Sequence, residues 1–363
     1  MTSYGAMLRF FLTLLVGLMG SLLFKLAGLP LPWLLGALSA SALASLAGAP
    51  VGVTKPIRLC IMVILGVMLG GAFSPEVLAH IGEWIPTLIA AVFYLGLITF
   101  VAQIYCRKIL GMDRITAIFS GFPGGLSEMT LLGEEAGANV QALTLTHACR
   151  VATILLAIPL FLTYWAGLEP IAPIQTGPFW NLQDIAFLII TALAGLGLGR
   201  VFGFPAHHLT GPLLISAIVH TTGLIDNEPY DLVKIILQLT LGSALGARFS
   251  GYSFRQIGRI MLLAVGMAFV MMGVTLLVSA LLSQITDASF EALILALSPG
   301  GFAEMTLAAL SMGIDPAFVT THHALRLLVI VFIVPVFLAR LLKKQAPPEK
   351  IPEETPENRR EKL

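Results

Sequence analysis

Ten long, mostly apolar segments follow one another along this 363-residue chain and limit its fold more than any other feature. Most are close to the roughly 20 residues that a helix needs to cross the hydrocarbon core of a bilayer. Membrane-spanning strands would instead show alternating segments of about 10 residues. We therefore predict an all-α polytopic membrane protein. The segments are residues 6–27, 31–48, 57–73, 84–106, 139–164, 184–203, 210–225, 232–248, 256–284 and 317–342.

Charge and composition narrow the classes of partner. Only 11% of the residues are charged and the mean hydropathy is +0.92, whereas soluble chains carry roughly 25% charged residues. The net charge of +1 gives no basic patch of the kind that nucleic-acid binding requires. There is no Walker loop and no dinucleotide fingerprint, so we expect no cofactor and no drive by ATP. The expected partners are the lipid bilayer and a small-molecule or ion substrate, and a homodimer is left open.

The chain contains an internal duplication. P-G-G-L-S-E-M-T-L at 123–131 returns as P-G-G-F-A-E-M-T-L at 299–307, a shift of 299 − 123 = 176. The same shift carries the downstream H-A-x-R motif from the first copy to the second. Near the start of each half, Pro32 and the apolar run after it resemble Pro212 and its run, a shift of 212 − 32 = 180. A constant offset over about a hundred residues indicates duplication.

The duplication predicts four regions. A first membrane repeat covers residues 1–165 and a second covers 184–342. Between them lies a linker, 166–183, which is rich in Pro and Gly and too broken to span a membrane. The end of the chain, 343–363, has dense mixed charge and four prolines. We predict that it is a disordered cytoplasmic tail.

The distribution of Lys and Arg predicts the orientation of the two repeats. If each Pro-Gly-Gly segment crossed the membrane, the basic residues from Arg248 to Arg259 would lie on the opposite side from the basic C-terminal region. If each segment enters and returns to the same side, the basic loops gather on one side and only Lys25 is an exception. This second arrangement leaves five spans in each half. It predicts two inverted repeats, each with one re-entrant or broken hairpin, and both termini cytoplasmic in a bacterial inner membrane.

An inverted pair of hairpins predicts a shared central site. An odd number of spans inverts the second repeat, so the two hairpins enter from opposite faces and meet near the midplane. Pro123 and the glycines Gly124, Gly125, Gly300 and Gly301 end one half-helix and should let the backbone turn tightly. The free N–H groups of the next half-helix then face the site. Paired breaks of this kind indicate the binding site of a transporter.

Two glutamates follow the glycines. Glu128 and Glu304 fall in the first turn of each second half-helix, where a charge near the bilayer centre is unfavourable by about 2.5 to 3.5 kcal/mol. One interpretation is that each carboxylate only caps its own helix. The other is that it takes part in a substrate or ion site. Thr130 and Thr306 are the hydroxyl residues that both copies share.

A histidine and an arginine complete the candidate site in each half. His147 and Arg150, like His323 and Arg326, are three residues apart and therefore lie on one helical face. One alternative is a structural ion pair between Glu and Arg. Arg also suits a carboxylate or phosphate through its planar fork, which favours an anionic organic substrate with Glu or His available for coupling.

A metal site is not expected. Adjacent histidines occur at 207–208 and 322–323, but neighbouring residues on a helix face different directions and no HExxH motif is present. The sequence therefore predicts no metal ligands and no catalytic residue.

The paired P-G-G-x-x-E-M-T-L and H-A-x-R motifs resemble the AbrB membrane protein family in its internally duplicated form. The names of that family conflict, because it is labelled both a regulator of gene expression and an ammonia monooxygenase. The resemblance also implies similarity to cation/proton antiporters and anion transporters. It covers nearly the whole chain apart from the tail.

The expected function is secondary active transport of a small anionic organic solute, coupled to protons or sodium. One alternative is a membrane-bound regulator or sensor with a transporter-like body. A more remote alternative is an ammonia monooxygenase-like protein, which would need a cluster of metal ligands that the sequence does not supply. We therefore expect that the protein is not an enzyme.

Overall fold

The computed structural model describes residues 3–168, 182–222, 231–252 and 254–345. Most of the predicted linker, 169–181, and most of the predicted tail, 346–363, lie outside the described residues. Regular structure in the described ranges is entirely helical. Three short stretches are not α-helical: a π-helix at Pro32–Gly36 and 3-10 turns at Ile81–Trp84 and Ala247–Phe249. The α-helices are α1 (Ser3–Leu26), α2 (Ala37–Leu46), α3 (Lys55–Gly70), α4 (Pro75–His80), α5 (Ile85–Lys108), α6 (Arg114–Gly121), α7 (Leu126–Glu135), α8 (Val140–Trp165), α9 (Leu182–Val201), α10 (His207–Thr221), α11 (Asp231–Gly246), α12 (Phe254–Leu282), α13 (Phe290–Leu297), α14 (Phe302–Ser311) and α15 (Pro316–Gln345).

The prediction of an all-α polytopic membrane protein is confirmed. Each of the ten predicted apolar segments is helical where it is described. Six helical stretches in the described ranges are long and apolar enough to cross a membrane, and shorter apolar helices lie between them. Large apolar side chains cover the outer faces of these helices, among them Phe93 and Phe332, which are 76% and 71% exposed. Such a surface is suited to contact with lipid tails.

The first helices of the two halves pack by the same close contacts. In α1 and the following π-helix, Gly20 lies against Gly36; in α9 and α10, Gly195 lies against Gly211. The shift between these pairs is 195 − 20 = 175. The backbone repeats as well, because the residue before each second helical stretch is left-handed, with φ 45° at Leu31 and 50° at Ala206.

The alignment of Pro32 with Pro212 at a shift of 180 is therefore wrong. Structural equivalence places Ala206, not Gly211, opposite Leu31, so the two halves differ by one residue in this region and not by four. The sequence comparison matched two prolines that lie at different places in their helices, since Pro32 begins the π-helix whereas Pro212 lies inside α10.

The two halves interleave. Helix α3 of the first half packs against α9 and α10 of the second, and α11 of the second half packs against α1 and α2 of the first. A Cβ added at Gly70 would lie 2.6 Å from the Leu213 carbonyl oxygen, and one at Gly246 would lie 2.6 Å from the Leu38 carbonyl oxygen. The same helix crossing is thus built twice, each time between the halves. The remaining long helices, α5, α8, α12 and α15, surround the broken segments.

Candidate functional site

The first Pro-Gly-Gly segment separates two short helices, α6 and α7. Three hydrogen bonds join α6 and the break to α8. The Asn139 amide donates to the Thr116 hydroxyl (2.8 Å), His147 Nε2 donates to the Phe119 carbonyl (3.0 Å), and Arg150 donates to the Phe122 carbonyl (3.0 Å). Residue numbers rise together on both sides, so α6 and α8 run in parallel. Helix α7, which joins them, must return along the pair.

The second segment repeats this arrangement with α13, α14 and α15. His323 Nε2 donates to the Leu295 carbonyl (3.0 Å), and Arg326 donates to the carbonyls of Ser298 (2.6 Å) and Gly300 (2.8 Å). The contacts of His323 with Leu295 and of Arg326 with Ser298 are the first-half contacts moved by 176 residues. The duplication is therefore a repeat of hydrogen bonds as well as of letters.

The two histidines share an unused acceptor. Because each Nε2 donates to a backbone carbonyl, Nδ1 of a neutral ring carries the lone pair. Nδ1 of His147 and Nδ1 of His323 are both buried and have no hydrogen-bond partner in the described part of the chain. The rings are 1% and 0% exposed. Each half thus fixes its imidazole by one nitrogen and leaves the other available.

The two arginines lie near each other in the interior. Arg150 is 1% exposed and is close enough to Arg326 for the two guanidinium groups to repel one another. Tyr94 on α5 is close enough to both to interact electrostatically. Its hydroxyl is hydrogen-bonded to the Thr275 hydroxyl of α12 at 2.7 Å. The candidate residues of the two halves therefore converge on one buried region.

Glu304 lies beside the second break. It falls in the first turn of α14, as predicted, and is 7% exposed. Its carboxylate folds back against Gly301, the residue that precedes α14. It attracts Arg326, but the predicted alternative of a close ion pair does not form here, since the ion pair within 4 Å in the described ranges joins His80 and Glu83. Among the described residues, no hydrogen-bond donor holds this carboxylate.

The first-half equivalents are described in part. Glu128 lies in the first turn of α7, as predicted, and its side chain lies outside the described part of the chain. The two shared threonines differ, because Thr306 donates to the Phe302 carbonyl of its own helix (3.0 Å) while the buried Thr130 hydroxyl has no partner in the described ranges. The symmetry of the sequence is thus incomplete in its side-chain contacts.

The glycines at the breaks serve a purpose other than the expected one. The backbone of Gly125 and Gly301 is extended, and neither break contains a glycine with positive φ. A side chain at these positions would instead collide with its neighbours. A Cβ at Gly124 would lie 3.0 Å from Met129 and 3.2 Å from Ile330 of α15, and one at Gly301 would strike Glu304. The expectation of a tight turn is wrong, and close packing explains the glycines.

Two interior residues were missed by the search for repeated motifs. Tyr94 and His322 have no counterpart of their own type, because the equivalent positions, at shifts of 176, hold Val270 and Thr146. A search restricted to symmetric residues passes over both. The usable signal was a polar residue inside a predicted span.

Comparison with known proteins supports the resemblance seen in the motifs. A family model described as "Transition state regulatory protein AbrB" matches residues 33–342. A protein of Bacillus subtilis (strain 168), named "Uncharacterized protein YhjN", is similar to this chain, with 24% identity over 345 residues. The similarity covers 88% of this chain and 89% of the relative.

Proposed function

We propose that this chain, which belongs to the AbrB family, is a secondary active transporter of a small organic anion, coupled to protons or sodium. The observation that carries the proposal is the repeated hydrogen bonding of a buried arginine and histidine to each break. Two matching breaks at the centre of a membrane protein favour a substrate site. The sites in this proposal are the twelve residues predicted above, with Tyr94 added.

The proposed architecture is two inverted repeats, 1–165 and 184–342, with the hairpins α6–α7 and α13–α14 entering from opposite faces. The parallel course of α6 and α8 supports it, because a hairpin that returns to its own side places the next long helix beside its first arm. Positive charge in the loops supports cytoplasmic termini in a bacterial inner membrane. Similarity to cation/proton antiporters and anion transporters, which the motifs imply, would fit this arrangement.

An anion is favoured by charge. Two buried guanidinium groups that repel each other are stabilised when a carboxylate or phosphate lies between them. The first turns of α7 and α14 add the positive ends of two helix dipoles. Glu304 and the free Nδ1 atoms of the histidines can then hold the coupling ion. The proposal assigns no catalytic residue, no metal and no cofactor.

Ligand-induced stabilisation of the purified protein tests the substrate class. A ligand at 100 times its Kd stabilises the folded state by about 2.7 kcal/mol, so a thermal unfolding panel of small carboxylates, organic phosphates, amines and ammonium should separate binders from non-binders. We expect raised Tm with one or more anions, lost in Arg326→Lys and kept in Arg259→Lys, which changes an exposed arginine on α12. Stabilisation by amines alone would contradict the anion proposal.

Cysteine labelling tests the inverted hairpins. With the three native cysteines, Cys60, Cys106 and Cys149, replaced by alanine, single cysteines are introduced at Leu126 and Phe302, the first residue after each break. We expect a membrane-impermeant maleimide to reach one position faster from the inside and the other faster from the outside, by at least about tenfold, as alternating access requires. Equal labelling of both positions from a single side would contradict the inverted arrangement.

A membrane-bound regulator is the second candidate. The printed description of the family names a transition-state regulatory protein, and a transporter-like body can sense a ligand without moving it. Both candidates predict ligand-induced stabilisation. They differ in flux, since a regulator would bind the anion and leave it on its own side of the membrane.

A further inference from the structure

An acid-lined cavity of about 390 Å³ opens at the end of the protein where α5, α13 and α15 begin. Its wall contains four carboxylates and, in the described part of the chain, no lysine or arginine. Three of these acids belong to the second half and one to the turn before α5. The carboxylates are Glu83, Asp287, Glu291 and Asp315. Such a wall raises the local concentration of cations, including protons.

A histidine separates this cavity from the interior. Thr87 and Phe318 line the acid-lined cavity, and His322 contacts both of them. On its other side, His322 lines a small cavity of about 10 Å³ together with Tyr94 and Arg326. That space is about the size of one water probe. The imidazole therefore lies between an open cavity and the buried arginine of the candidate site.

The hydrogen bonds of His322 depend on its protonation. Nδ1 lies 2.8 Å from the Phe318 carbonyl, Nε2 lies 3.0 Å from the Thr87 hydroxyl, and that hydroxyl donates to the Trp84 carbonyl at 2.8 Å. An imidazolium donates from both nitrogens, so it satisfies the whole chain. A neutral ring with the proton on Nδ1 must accept from Thr87, which then leaves the Trp84 carbonyl. With the proton on Nε2, the Nδ1 lone pair would face the oxygen of Phe318.

Aromatic packing links this chain to the cavity wall. The Phe318 ring lies 4.2 Å from the His322 ring, and Trp84 packs edge-on against Phe318 at 5.5 Å between centroids. An aromatic face beside an imidazolium is favourable. The charge facing His322 is negative on the cavity side, whereas Arg326 opposes protonation from the inner side. Proton binding at His322 would thus respond both to the cavity and to the state of the substrate site.

We propose that His322 is a proton-binding site between the acid-lined cavity and the substrate site, and that its protonation moves the Thr87 hydroxyl between Trp84 and the imidazole. The inference rests on the proposed transport function and names the coupling ion as a proton. The equivalent residue of the first half is Thr146, which bonds to its own helix. The proton site is therefore confined to one side of the pseudo-symmetric protein.

Nitrogen NMR of histidine-labelled protein in nanodiscs tests this site without any substrate. We expect one imidazole to change from a neutral tautomer to the doubly protonated ring between about pH 4 and pH 8, with its signal lost in His322→Gln and in His322→Thr. His220→Gln is the matched control, because buried His220 makes the same bond to the carbonyl four residues earlier, that of Ser216. In Thr87→Val, we expect the midpoint to fall by about one pH unit because the imidazolium loses an acceptor. A His322 signal that stays in one neutral tautomer across the range would overturn the proposal.

Transport separates the failure of this inference from failure of the proposed function. We expect the pH dependence of substrate-driven current to be lost in His322→Gln and kept in His220→Gln. A current whose pH dependence survives in His322→Gln would overturn the proton site and leave the transporter standing. Absence of current in the wild type would overturn the transporter, while the NMR titration would still decide whether His322 binds a proton.

Discussion

Proteoliposomes that contain the double variant Arg150→Lys, Arg326→Lys are expected to lose about 99% of the wild-type flux of substrate. Arg326 uses its planar fork to hold the carbonyls of Ser298 and Gly300 at the second break. Lysine keeps the positive charge but cannot reproduce that fork. A hydrogen bond of a charged group contributes about 1.5 to 3 kcal/mol, and 1.4 kcal/mol is tenfold. One lost contact in each half therefore gives about a hundredfold reduction.

The matched control for this variant is Arg259→Lys on the exposed face of α12, which should keep wild-type flux. Size-exclusion profiles and Tm establish that the double variant is folded. If a folded double-lysine protein retains more than half of the flux, the guanidinium groups are structural and the anion site lies elsewhere.

The double variant Glu128→Gln, Glu304→Gln is expected to reduce flux to background while the Tm is unchanged or rises. A buried carboxylate near the bilayer centre is unfavourable by about 2.5 to 3.5 kcal/mol, and glutamine keeps its shape without the charge. Glu304 is buried beside Gly301 without a hydrogen-bond donor from the described residues. Removal of its charge should therefore relieve strain in the fold while it removes the proposed coupling group.

The capping interpretation predicts the opposite pattern. If the carboxylates only stabilise the starts of α7 and α14, their loss lowers stability by about 0.3 to 1 kcal/mol for each helix and leaves flux intact. Glu135→Gln, at the exposed end of α7, is the control for a change of charge alone. Normal flux with a lower Tm in the double variant would remove the glutamates from the mechanism.

Residues that the duplication repeats were predictable from the sequence. Apolar length predicted the ten helical segments, and the repeated motif predicted the two breaks and the first-turn position of Glu304. The pairing of each His and Arg with its own break was foreseen only as a shared helical face. Which carbonyl each side chain reaches depends on the parallel packing of α6 on α8 and of α13 on α15, and sequence spacing carries no information about that packing.

Contacts between the halves could not be predicted. The packing of α3 on α10 and of α11 on α2 depends on glycines that look like any others in an apolar run. Tyr94 and His322 lack counterparts of their own type, so a search for symmetry does not find them. The extended backbone of the breaks was missed because glycine suggests a turn as readily as it suggests a close contact.

The most direct test of the transporter proposal is the current evoked on a solid-supported membrane by wild-type proteoliposomes. Small organic acids, amines, ammonium and sodium are applied in turn, with radiolabelled uptake measured in parallel to detect electroneutral exchange. The proposal predicts a response to one or more organic acids that disappears in the double glutamine and double lysine variants. Silence in both assays, from protein that the same acids stabilise against heat, would contradict transport and favour a sensor.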